Sequence, residues 1–131
     1  MNYDEIYYSA VQLLNEDQEM PDVADYERRA GYLLATFTML ATPVDITYRE
    51  INGLPAVSQK AYTYVELSKF FPLSTIFAPA ATYYLAAMLV LDENEELSDK
   101  LFALYVNEIT AIQASFPAQN LKTVDRYGLL T

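Results

Sequence analysis

Residues 70–91 read FFPLSTIFAPAATYYLAAMLVL, the only segment of the chain that is apolar on nearly every face. A helix with that pattern belongs in the interior, with the other elements packed around it. Pro79 fits a first helical turn, where a missing N–H costs little, so the spacing predicts a helix over 79–91. Thr75 to Ala78 then forms a short lead-in behind Ser74. Ala81, Tyr84, Leu85, Met88 and Leu91 share one face; Ala80, Tyr83, Ala87 and Val90 share a second, which implies a central position. Ile76 to Leu91 carries no charge, but its 16 residues fall short of the roughly 20 that a bilayer crossing needs. No membrane partner is expected. The opening MNYDEIYYSA has neither a basic region nor a long apolar run, so it does not resemble a signal peptide, and a cytoplasmic location is expected.

On the C-terminal side, Asp92 to Asp99 is dense in acid. Asp92, Asn94 and Glu96 alternate like calcium-loop ligands, yet Leu97 stands where that loop needs glycine and Ala103 where it needs a bidentate Glu. The acids therefore mark a solvated corner between two antiparallel helices. The second of these is predicted over 95–116, with Leu97, Leu101, Leu104, Tyr105, Ile109, Ile112 and Phe116 along one side. Glu108 borders that stripe. Pro117 ends the helix, and 118–131 reads as an extended tail whose Val124, Tyr127 and Leu129 are apolar enough to dock on a surface.

On the N-terminal side, a first helix is predicted over 3–15, with Ile6, Ala10, Leu13 and Leu14 on one face and three tyrosines flanking it. A second is predicted over 22–41, capped by Asp22, with Tyr26, Ala30, Leu33, Leu34, Phe37, Leu40 and Ala41 as its core stripe. Arg28 and Arg29 read as a solvated pair beside Asp25. Thr42-Pro43 is expected to stop this helix. Val44, Ile46 and Tyr48 then alternate with polar residues as a short strand does, and Asn52-Gly53 is a hairpin signal. Residues 44–65 thus read as a non-helical excursion with a candidate small β-hairpin. Long excursions in small domains are often functional, which makes Tyr48, Tyr62 and Tyr64 the first candidates for partner binding. The expected fold is all-α: a single four-helix, bundle-like domain over 1–131 with this excursion and the extended tail.

Composition narrows the chemistry. There is no Cys and no His, so thiolate chemistry and the commonest general base and metal ligand are missing. Three glycines leave no glycine-rich phosphate loop. No carboxylate pair lies in an apolar pattern that would raise a pKa, and no Ser–Lys spacing suggests a nucleophile. No catalytic residue, metal or cofactor is expected, and the chain does not read as an enzyme. Eighteen acids against eight bases give a net charge of −10, which argues against direct binding to a nucleic-acid backbone, and no sequence-specific nucleic-acid partner is expected. Twelve tyrosines with no tryptophan suit the edge of a core and a protein–protein surface alike.

Four runs carry a family resemblance: Leu67–Leu73 (LSKFFPL), Ala78–Ala87 (APAATYYLAA), Asp92-Glu93-Asn94 and Leu101–Tyr105 (LFALY). Together they resemble the head-to-tail connector proteins of tailed bacteriophages and prophages, small helical proteins with a "YYLAA"-type helix, an acidic turn, a second helix and a short tail. Asp125-Arg126-Tyr127-Gly128 is similar to tail endings in that group. The resemblance implies a virion structural protein, a subunit of a homo-oligomeric ring below the portal that completes the head after DNA packaging. Portal and tail-side phage proteins would be its partners, and its location the host bacterial cytoplasm and then the virion. Such rings commonly line a DNA channel, where an acidic wall lets DNA slide without sticking. The net charge supports an alternative, an acidic helical regulatory module that covers the basic surface of a nucleic-acid-binding partner.

Overall fold

A computed structural model describes residues 1–15 and 23–117. Among them the architecture is all-α: α1 (Tyr3–Asn15), α2 (Val23–Asn52), a 3-10 turn (Thr75–Phe77), α3 (Ala78–Val90) and α4 (Glu95–Ala114). The predicted tail falls outside the described residues.

The charge-free segment is the centre of the bundle. Eight residues of α3, among them Ala80, Ala81, Ala86 and Ala87, are buried, and α1, α2 and α4 all pack on it. The small alanines let the neighbouring helices approach closely, while Tyr84, Leu85, Leu89 and Val90 fill the space between them. Pro79 sits in the first turn, preceded by the short 3-10 lead-in, as its missing N–H demands. No helix among the described residues is long and apolar enough to cross a membrane.

The acidic corner joins α3 to α4 in an antiparallel hairpin. Asn94 is the N-cap of α4, its side chain accepting a hydrogen bond from the Leu97 N–H at 3.0 Å. Ser98, buried at the interface, donates to the Ala87 carbonyl at 2.8 Å and staples the two helices. Leu101 and Ile112 are buried as expected, but Leu104 is not; it faces solvent with Phe102 and Val106. At this same end of α3, Arg29 donates to the carbonyls of Met88 (3.2 Å) and Leu89 (3.4 Å). It thereby joins α2 to the last turn of α3, where orphan carbonyls and the helix dipole favour a cation. Both arginines pair with Asp25, Arg28 as an exposed partner and Arg29 half-buried at 3.9 Å.

The largest departure from the sequence reading is α2. Pro43 does not stop it; the helix continues to Asn52, so 44–52 is neither strand nor excursion. Proline inside a helix frees the carbonyl four residues back, here Met39, and costs about 3 kcal/mol. Two compensations are visible. The Met39 carbonyl accepts a hydrogen bond from Gln59 Nε2 at 3.5 Å. The extension also places Val44, Tyr48 and Ile51, spaced at helical intervals, against the core. Val44 and Tyr48 satisfy a period of two and a period of four alike, which is why the alternation misled. Asn52-Gly53 is not a hairpin turn either. Gly53, at φ 67°, follows the last helical residue, with Leu54 N–H bonded to Arg49 O at 2.9 Å and Gly53 N–H to Glu50 O at 3.5 Å. That is a Schellman cap, the αL ending for which glycine is suited. Leu40, assigned above to the core stripe, is 57% exposed.

Residues 54–74 form the actual non-helical segment, and it runs back along α2. Tyr62 N–H approaches Met39 Sδ at 3.2 Å, and Val65 N–H bonds the Gly31 carbonyl at 3.1 Å. The segment then satisfies the orphan donors at the start of α1, with Tyr3 N–H on Lys69 O at 3.0 Å and Asp4 N–H on Leu67 O at 2.8 Å. Asn2 and Phe70 form an isolated antiparallel bridge, and Phe71 packs edge-on against Tyr3 at 5.5 Å.

Both ends of the segment are held by one buried ion pair. Asp45 is fully buried and accepts from Arg49 Nε at 2.8 Å, from Ser74 Oγ at 2.6 Å and from Ser74 N–H at 3.2 Å. Arg49 also donates to Pro55 O at 3.0 Å and to Pro72 O at 3.1 Å. Replacing one member leaves a buried charge uncompensated. Arg49→Met is therefore expected to lower unfolding stability by about 3–5 kcal/mol, read from the urea midpoint.

Candidate functional site

The return of residues 54–74 along α2 builds two open clefts that meet at Phe70. One, of 440 Å³, lies between the end of α2 and the 3-10 turn and is lined by Tyr48, Leu54, Pro55, Phe70 and Ile76. The other, of 300 Å³, lies between α1 and the segment and is lined by Tyr3, Tyr62, Tyr64, Lys69 and Phe70. Phe70 is 69% exposed, more than any other large apolar residue described, while its neighbour Phe71 is buried. In an extended backbone consecutive side chains point to opposite sides, so only one of the two phenylalanines can enter the core.

Of the sequence-predicted site residues, Tyr48 lines the first cleft, with its ring edge-on to buried Phe77 at 6.2 Å. Tyr62 and Tyr64 line the second. They are thus neighbours across Phe70, and the non-helical part of the expected excursion is a segment laid on the helix. Val124, Tyr127 and Leu129 lie outside the described residues. Phe70, Leu54 and Ile76 were missed. For Phe70 the signal was the FF-P doublet: two adjacent phenylalanines before a proline cannot both be buried in an extended chain.

Gly31 fixes the position of Tyr64. A Cβ built there would meet the Tyr64 ring at 2.1 Å, and that ring stacks edge-on to Tyr32 at 4.8 Å. A third, smaller cavity of 270 Å³ between α2 and the segment is more polar, lined by Thr38, Thr42, Ser58, Lys60 and Tyr62. Thr38 is engaged already, donating to Leu34 O at 2.8 Å and accepting from Tyr3 OH at 2.8 Å.

Charge is unevenly spread. Residues 44–76 hold three acids (Asp45, Glu50, Glu66) and three bases (Arg49, Lys60, Lys69), whereas residues 91–108 hold six acids against Lys100 alone. The cleft face is therefore the balanced part of a chain carrying −10. No group of three or more acids among the described residues is arranged to hold a metal ion. Among the described residues the perturbed titrations are all tyrosines in the core or packed against it. Burial pushes Tyr3 up to about 12, and burial with the nearby Glu93 carboxylate does the same for Tyr26. Burial also raises Tyr84 and Tyr105 on the facing sides of α3 and α4. Comparison with family models, curated proteins and solved structures finds no match.

Two outcomes follow from this geometry. A phenol whose folded pKa exceeds its ordinary 10.0 favours the fold at lower pH, and that contribution is lost as pH rises through about 12. Stability should therefore fall between pH 10 and 12, and phenolate absorbance should show a late-titrating fraction that shrinks in Tyr3→Phe. Gly31→Ala should expel the Tyr64 ring and cost about 1–3 kcal/mol, with NMR shifts concentrated at residues 62–66.

Proposed function

We propose that this chain is a non-catalytic structural subunit that docks another protein on the Phe70 face. The observation that carries the reading is Phe70 itself, an aromatic left 69% exposed between two open clefts. Aromatic anchors beside pockets are what protein interfaces use, and a charge-balanced surface removes the repulsion that the rest of the chain would offer. Open clefts of this kind lack the enclosed, convergent polar groups of a small-molecule site.

The connector assignment gains support from where the resembling residues fall. The run Leu67–Leu73, one of those similar to head-to-tail connectors, supplies Lys69 and Phe70 to the clefts. On this reading the subunit joins a ring in the assembled particle after DNA packaging, with portal and tail-side proteins as partners, first in the host bacterial cytoplasm and then in the virion. The acidic α3–α4 corner favours the second reading, a regulatory module on a basic partner, because that end is where a positive surface would be drawn.

One experiment separates them. A tagged copy is expressed in its native host with any prophage induced, beside a Phe70→Glu copy, and co-purifying proteins are identified by mass spectrometry. Portal and tail proteins should come down with the parent and fall at least about tenfold with Phe70→Glu, as for loss of a hot-spot aromatic. A single basic partner, indifferent to Phe70→Glu and released steeply by salt, would sink the connector reading in favour of the regulatory one.

A further inference from the structure

The solvent side of α2 carries a second, separate surface. Between Arg29 and Arg49 the helix contains one charged residue, Asp45, and that one is buried. In a chain that is 20% charged, residues 30–48 thus present no exposed charge at all. What they present instead is Tyr32 (54% exposed), Thr36, Leu40 (57%), Pro43 and Ile46 (38%). At 100° per residue these five fall within a sector of about 120°, so they form one stripe along the helix.

Charges bound the stripe, and their signs differ. Arg28 stands exposed at its N-terminal end and Glu50 exposed at its C-terminal end, each eleven residues from Met39. Tyr32 and Ile46 are each seven residues from the same midpoint, and Leu40 lies next to it. A second copy of α2 laid antiparallel across this point therefore puts Arg28 against Glu50 of the partner copy, twice, and Tyr32 against the other copy's Ile46, twice. The bracketing surface pair Arg28–Asp25 is exposed and weak, so it does not withhold the guanidinium. A parallel pairing would instead set like charges together at both ends.

From this register we infer that α2 is a self-recognition surface through which two copies form an antiparallel, two-fold dimer. Two chains of charge −10 repel, and they can meet closely only where an acid at the contact faces a base, as Glu50 faces Arg28 here. With Tyr64 beside Tyr32, the pairing covers roughly 500 Å² on each copy, or about 1,000 Å² in all, the lower bound of a specific interface. Such a contact is isologous, as a two-fold requires, because the same stripe serves both copies. It shares Tyr64 with the second cleft but uses none of Phe70, Leu54 or Ile76, so Phe70→Glu separates it from the docking proposed above.

Sedimentation velocity on the full chain at low salt, over a dilution series down from about 100 µM, tests it. The parent should run as a dimer at the top of the series, and Leu40→Glu as a monomer. Arg28→Glu and Glu50→Arg should each weaken the dimer at least about tenfold, and the double variant R28E/E50R should recover it. Phe70→Glu should leave it unchanged. Both charged positions are exposed, so circular dichroism should show intact helices throughout. A parent that stays monomeric overturns the inference, as do charge reversals without effect or a double variant no better than the singles; the stripe would then belong to a different partner or to none.

Discussion

The Asp45–Arg49–Ser74 cluster is the constraint on which the irregular part of this molecule depends. One guanidinium holds the carbonyls of Pro55 and Pro72, and the carboxylate it neutralises holds Ser74. The two ends of a segment of some twenty residues are thereby closed on the last turns of α2. An ion pair this deep repays its desolvation only when its remaining donors and acceptors are also satisfied, and here they are. The cluster exists only because α2 continues through Pro43, since Asp45 and Arg49 need helical i, i+4 spacing to meet.

Everything on the cleft side follows from that closure. Held at both ends, the segment lies along α2, where Gly31 leaves room for Tyr64 and exposes a carbonyl to Val65. It then reaches the start of α1 and satisfies donors that an uncapped helix leaves open. Phe71 enters the core through this geometry and Phe70 is turned out by it. The polar anchoring of the segment and the apolar clefts it creates are two sides of one arrangement.

The two halves of the bundle divide the charge. The α3–α4 corner collects acids where they cap and solvate a helix turn, while the cleft face balances its charges and the outer stripe of α2 has none exposed. Acid concentrated at one end places like-charge repulsion there without obstructing apolar surfaces elsewhere. Such segregation leaves two approachable surfaces on an otherwise repulsive molecule.

The helical class, the central position of α3, the antiparallel α3–α4 hairpin and the lead-in before Pro79 were legible in the sequence, because they rest on local rules. Long apolar runs and proline at a first turn act over a few residues and leave a local trace. The fate of Pro43 and of Asn52-Gly53 was not legible. Both are breakers by local preference; Pro43 was decided by tertiary contact, since Gln59, Ser74 and Pro72 lie far along the chain from the helix residues they support, and Gly53 became a cap because the helix then reached it. Tyr48, Tyr62 and Tyr64 were identifiable as candidates by type, but not Phe70, since exposure is a property of the packed segment rather than of the residue. What the sequence by itself determined is the set of helices and the charge they carry. What only the tertiary structure decided is where α2 ends and which aromatics face solvent, because a proline's cost and a phenylalanine's burial depend on partners that meet only when the chain is folded.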